Sequence, residues 1–188
     1  MTVSEVITDA AVSDAALAAI PFVDIAFKVV KAKDTIADAM YAAKLVGFIN
    51  GVGHLEDADR ERVAKQLLEK EGAKVGETLL LVLDRVTDLD KPALLGFLFR
   101  KYAERELRGT HLRRLTSAVD LAFGDDLLQF LDVDYRGRAT QDEDCRSRLV
   151  HTGLTALNIA TGWDAKQPTY ECTELGVRLF ELVNGFRP

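Results

Sequence analysis

Twelve residues, DVDYRGRATQDE from Asp132 to Glu143, come nearest in this chain to a ligand-holding motif. Acids stand at positions one and three, glycine at six and glutamate at twelve, as in a calcium loop whose oxygen ligands surround a sharp turn between two helices. The candidate ligands are Asp132, Asp134 and Glu143. Arg136 stands where a further oxygen belongs, Arg138 adds a second positive charge, and Ala139 replaces the aliphatic residue that pairs such loops. A dication would therefore face two guanidinium groups, so a linker is expected here and no bound metal. Cys145 and His151 fall on different faces of a helix, and His54, His111 and His151 lack metal-ligand spacing. Asp125 with Asp126, and Asp142 to Asp144, have the residue types for general acid–base work. Aspartates at helix starts are ordinary partners of the helix dipole, so no catalytic set and no cofactor are expected.

A second concentration of chemistry is electrostatic. In RKYAERELRGTHLRR, the six cations Arg100, Lys101, Arg105, Arg108, Arg113 and Arg114 outnumber Glu104 and Glu106. This is the one basic stretch in an acidic chain, and it is the candidate interaction site for an acidic or phosphate-bearing partner; a solvated helix end is the plainer account.

At 188 residues the chain fits one domain, or one domain with a small appendage, and 48% apolar residues suffice for a real core. The net charge of −6 argues against nucleic acid as a partner of the whole molecule. Two cysteines, Cys145 and Cys172, fit a reducing compartment, with a bridge between them left open. The N-terminal residues carry acids where an export signal needs early positive charge, and no uncharged apolar run approaches the roughly 20 residues of a membrane span. Cytoplasm is the expected location, with membrane association as the alternative.

From Phe22, Asp24, Lys28, Lys31, Thr35 and Asp38 fall on one narrow helical face at steps of four and three, while most of the remainder through Ile49 is apolar or small. The constant phase predicts one long helix over 22–50, about 40 Å at 1.5 Å per residue, entered at Pro21 and left at Gly51 or Gly53. Its polar stripe would line a pore if the helix entered a membrane; as a central helix it would be wrapped by its neighbours. Lys33 and Lys44 lie opposite the stripe, where lipid would be, which favours the second reading. A polar surface helix over 58–70 follows, with Val63, Leu67 and Leu68 inward.

The stretch 75–107 reads as a helical hairpin at the core. Leu79, Leu83 and Val86 repeat at steps of four and three, and Leu80, Leu81 and Val82 widen the apolar arc. Asp88 or Asp90 offers a cap to the next helix, and Pro92 sits in its first turn. Gly96, between the rows Leu94–Leu98–Tyr102 and Leu95–Phe99, costs roughly 1 kcal/mol against alanine, so close approach by another helix is expected there. Thr110 is expected to cap a helix with Leu112, Leu115, Val119 and Phe123 inward, followed by a short helix carrying Leu127, Leu128 and Leu131.

Toward the C-terminus the pattern predicts a helix ending at Thr152-Gly153, a strand over 157–160, a turn through Gly162, Trp163 and Asp164, and a return strand over 170–172. Thr173 caps a last helix. The run Leu149-x-x-x-Gly153-Leu154, hairpin, then Tyr170-x-x-Thr173-x-x-Gly176-x-x-Leu179 resembles the second half of a winged-helix domain. That resemblance implies a DNA-reading helix before the hairpin, yet the helix here opens with Asp142, Glu143 and Asp144, and residues 136–187 carry seven basic and seven acidic side chains. Across Ile20 to Leu128 the chain also resembles a group of uncharacterised bacterial helical proteins: an Ile20-Pro21 start, GETLLLVLDRVTDLDKPALLGFLF, then RLTSAVDLAF. This implies a helical core followed by a winged-helix-like end, and no activity.

The expected fold is mainly α: a multi-helix bundle over 1–131 with a small winged-helix-like α+β segment, one β-hairpin, over 132–188. The expected function is that of a non-enzymatic bacterial interaction or regulatory protein that associates with itself. Two alternatives stand beside it: a membrane-perturbing effector of the toxin or phage-defence kind acting through helix 22–50, and a winged-helix DNA-binding regulator.

Overall fold

The structure is a computed structural model that describes residues 36–88, 90–132, 143–159 and 169–184. The described residues are mainly α, with one antiparallel strand pair toward the C-terminal end. In chain order the elements are α1 (Ile36–Val52), α2 (Asp57–Leu68), α3 (Lys70–Arg85), α4 (Lys91–Ala103), α5 (Gly109–Leu121), α6 (Gly124–Asp132) and α7 (Glu143–Arg148). A 3-10 turn (Val150–Thr152), β1 (Thr155–Asn158), β2 (Thr169–Cys172) and α8 (Glu174–Asn184) follow among the described residues. The chain forms two compact units, Met1–Thr116 and Ser117–Pro188, so the dividing point falls inside α5. It lies ahead of the 131/132 boundary read from the sequence and assigns α6, which packs on α7 and α8, to the second unit.

Of the long helix expected over 22–50, residues 36–50 are helical within α1, and 22–35 lie outside the described residues. The helix ends one residue before Gly53, whose φ of 60° is the left-handed conformation that closes a helix C-terminus. α4 lays its length against α1, and glycine makes the approach possible. A Cβ on Gly96 would collide with the Phe48 carbonyl and sit 2.8 Å from the Val52 nitrogen; one on Gly51 would strike the Ala93 carbonyl. The close approach expected at Gly96 is therefore present, with α1 as the approaching helix. Around it Leu45, Phe48, Leu95, Leu98 and Phe99 are fully buried, and the Phe48 and Phe99 rings meet at 5.8 Å, tilted by 47°. Each such side chain contributes about 1.5–3 kcal/mol by burial.

The expected hairpin over 75–107 forms as two helices, but α4 finds its main partner in α1 while α3 packs mostly on α2. Between them Asp88 Oδ1 accepts the Asp90 amide at 3.0 Å, Asp90 itself makes no side-chain cap, and Pro92 lies in the first turn. Leu79, Val82, Leu83 and Val86 are buried as expected, whereas Leu81 is 64% exposed. Two steps of 100° carry Leu81 about 200° around the helix from Leu79, onto the outer face. Leu68 is likewise exposed, because α2 ends on it and Val63 with Leu67 already fill the inner row. Lys44, on the face opposite the expected polar stripe, is buried: its ammonium donates to the Asp84 carbonyl at 2.8 Å, an unpaired group in the last turn of α3. A cation at the negative end of a helix is favoured there.

α5 begins at Gly109, so Thr110 lies in its first turn rather than at its cap. Leu112, Leu115 and Val119 form the inward row, but Ala122 takes the next place and Phe123, beyond the helix end, is 66% exposed. In α6 Leu127 and Phe130, three apart, face inward and Leu128 faces out.

In the second unit Thr155 pairs with Cys172, Ala156 with Glu171, Leu157 with Tyr170 and Asn158 with Thr169. The first strand thus starts two residues earlier than expected, because the Thr155 hydroxyl donates to the Arg146 carbonyl at 2.6 Å and ties β1 to α7. Gly162, Trp163 and Asp164, the expected turn, lie outside the described residues. Thr173 caps α8 as expected, its Oγ1 accepting the Gly176 amide at 3.1 Å while its own amide donates to Leu154 at 3.0 Å.

Candidate functional site

The basic stretch folds as the end of α4, a tight turn and the start of α5. α4 closes in a Schellman motif: the Glu106 amide donates to the Lys101 carbonyl at 2.9 Å and the Arg105 amide to Tyr102 at 3.1 Å. The turn requires a left-handed residue where glycine is usual, and Arg105 occupies it with φ 66°. That conformation costs an L side chain about 1 kcal/mol relative to glycine. α2 is pinned to the same end of α4, since Arg62 Nη2 donates to the Ala103 carbonyl while Nη1 pairs with Asp59 at 2.6 Å.

The structure sorts the six cations into two sets. Arg100 reaches Glu104 at 2.7 Å, and Lys101 holds Glu104 at 3.1 Å and Glu106 at 2.9 Å while lying 5.7 Å over the Phe97 ring. Arg113 approaches Glu71, from α3, at 3.7 Å. Arg105, Arg108 and Arg114 are exposed, and among the described residues no carboxylate pairs with them. Arg108, His111 and Arg114 follow one another at steps of three and rise about 9 Å along the start of α5.

Partial burial works against the ionised Glu104, but hydrogen bonds and charge from Arg100 and Lys101 outweigh it and hold its carboxyl below the usual range. Lys101 is the mirror case: burial opposes its charge, and bonds to Glu106 and Glu104 overcome this and raise it above its ordinary 10.5. The pair's contribution is complete between these limits. A depressed carboxyl stabilises the fold above its unfolded value near 4.5 and loses that stabilisation as pH falls through its lower, folded value. Glu104→Gln is therefore expected to lower stability at pH 7 by about 1 kcal/mol and to flatten the acid limb of a urea-denaturation profile taken between pH 6 and pH 3. Equal acid sensitivity in both proteins would refute this.

The remaining sequence candidates lie partly outside the described residues. Asp132 ends α6 exposed, Glu143 opens α7 exposed, and Asp134 lies outside the described residues; among the described residues no three His, Cys, Asp or Glu side chains could hold a metal. Of the polar stripe, Asp24, Lys28, Lys31 and Thr35 lie outside the described residues, and Asp38 falls within α1. Asp125 and Asp126 lie in different surroundings. Asp125 is exposed, while Asp126 is buried and its Oδ1 accepts Arg148 Nε at 2.9 Å and Nη2 at 2.8 Å. Arg148 also pairs with Asp144 at 2.9 Å, one helical turn away. Sequence reasoning missed the Asp126–Arg148 bond, although the Asp144–Arg148 spacing of four was visible.

No disulfide joins the two cysteines, which turn to different elements: Cys145 Sγ donates to the Asp126 carbonyl at 3.4 Å, and Cys172 Sγ to the Leu154 carbonyl at 3.7 Å. Burial pushes the Cys172 thiol up to about 11, against a smaller opposing pull from Arg146. At pH 8 the native protein should react with iodoacetamide at Cys172 at least tenfold more slowly than the urea-unfolded chain (roughly, from the missing thiolate). Equal rates by mass spectrometry would show that the thiol is open.

No family model, curated protein or solved structure matches the chain.

Proposed function

We propose that this chain is a non-enzymatic interaction protein that associates with itself through its second unit. The observation that carries this reading is the set of large apolar side chains left in water there: Leu121, Phe123, Leu128, Leu157 and Ile159 are each at least 44% exposed. Leu121 and Phe123 are neighbours at the end of α5, and the Leu121 carbonyl meets His151 Nε2 at 3.0 Å, which brings exposed Val150 to the same place. Exposed apolar side chains of this kind can bury one another when the same surface meets its own copy about a two-fold axis. Two of the three charged side chains buried among the described residues have structural partners, which supports the non-enzymatic part: Lys44 secures α3, and Asp126 secures α7.

The alternatives draw less support. Lys44 is engaged in packing on the segment that a membrane-perturbing effector would release, and no helix among the described residues is long and apolar enough to cross a membrane. α7, in the position of a DNA-reading helix, exposes Glu143 and Asp144, and residues 117–188 carry twelve acids against seven basic side chains. Sedimentation equilibrium at micromolar concentration decides the matter. The wild type is expected to be dimeric or larger and the variant Leu121→Gln/Phe123→Glu monomeric; a monomeric wild type would overturn the proposal.

A further inference from the structure

The turn between α4 and α5 presents Arg105 and Arg108 to solvent, the first turns of α5 add the exposed Arg114, and we infer that this stretch binds a short acidic segment of a partner protein. The surface belongs to the first unit, and the inference does not rest on self-association.

Three observations converge. First, the cations here are not a uniformly solvated face. Arg100, Lys101 and Arg113 are each matched by a glutamate, whereas Arg105, Arg108 and Arg114 have no such match among the described residues. Arg100 and Lys101 support the end of α4, Arg113 reaches across to α3, and the other three are exposed. Second, the residue in the left-handed position of the Schellman turn is an arginine, where glycine would close the helix without strain. A side chain held in a backbone conformation that disfavours it points to a use for that side chain. Third, the planar guanidinium presents paired donors that match carboxylates, and three of them in one short stretch suit a segment with several acids in succession.

The rest of the chain selects among anions. Duplex nucleic acid extends well past three arginines and binds through many phosphate contacts, and a chain of net charge −6 opposes such a long polyanion. A peptide of a few acidic residues meets only the local field, since charges more than a Debye length away, about 8 Å at physiological ionic strength, are screened.

Fluorescence anisotropy with a fluorescein-labelled hexaglutamate peptide and the full chain tests this. Binding is expected at low salt and should collapse on adding salt. Arg105→Glu/Arg108→Glu should weaken it by about tenfold or more, whereas Lys65→Glu/Lys70→Glu, with the same change in net charge on the exposed junction of α2 and α3, should leave it within about twofold. Arg105→Gly/Arg108→Gln is the second variant, free of any disturbance of the turn by reversed charge. Glycine suits the left-handed position, so this protein should melt no lower than wild type and still lose the peptide. No peptide binding by wild type, equal losses in both charge-reversed pairs, or displacement of the peptide by an equimolar short DNA duplex would each overturn the inference. The variants keep the apolar surface of the second unit, so the oligomeric state reads out the other proposal separately.

Discussion

Gly96→Ala is expected to destabilise the first unit by about 2–4 kcal/mol, and Gly96→Val by more. Intrinsic helix propensity predicts the opposite sign, since alanine in a helix interior is favoured over glycine by about 1 kcal/mol. Packing decides. The added carbon would fall on the Phe48 carbonyl of α1, and main chain cannot yield as a side-chain tip can. Relief requires α1 and α4 to separate, which loosens the contact between the Phe48 and Phe99 rings. The measurement is a urea titration followed by circular dichroism, with a fall in the midpoint at unchanged slope. A Gly96→Ala protein as stable as wild type would mean that α1 and α4 do not approach this closely.

A comparable loss, about 2–4 kcal/mol, is expected from Gly176→Ala in the second unit. Gly176 lies in the first turn of α8 and is buried; a Cβ there would meet the Leu154 carbonyl and lie 2.7 Å from Cys172 Sγ. That same carbonyl accepts the Thr173 amide at 3.0 Å and the Thr173 hydroxyl at 3.1 Å. Moving it therefore breaks the cap of α8 along with the contact, which adds to the cost. Hydrogen exchange is the suitable probe: β1, β2 and the first turn of α8 should lose protection together. If protection is lost in α8 alone, the carbonyl is not the shared anchor described above.

The two glycines show what the sequence could and could not reveal. That Gly96 marks a close helix approach was readable, because an apolar helix rarely keeps a glycine without a reason. Which helix approaches was not, since chain adjacency suggested α3 and the partner proved to be α1, some forty residues earlier. Periodicity placed Leu79, Leu83, Leu112 and Val119 inside correctly. It failed at Leu81, where an unbroken apolar run hides the outer face, and at Phe123, where the helix stops before the row does. The candidate site was legible as a concentration of charge. Its division into matched and outward-facing arginines was not, because Glu71 arrives from another helix and Glu106 is folded back by a turn whose usual glycine signal is absent.

A last consequence concerns cutting the chain. Because the dividing point after Thr116 lies within α5, a protease that prefers frayed loops has no foothold there. Fragments expressed as 1–116 and 117–188 would each inherit a stump of that helix, about two turns or fewer, too short to hold its shape unaided. Any attempt to study the halves in isolation should therefore give residues 109–121 to both, and a fragment ending at 116 should be expected to fray through Leu112 and Leu115, whose side chains are fully enclosed in the intact molecule.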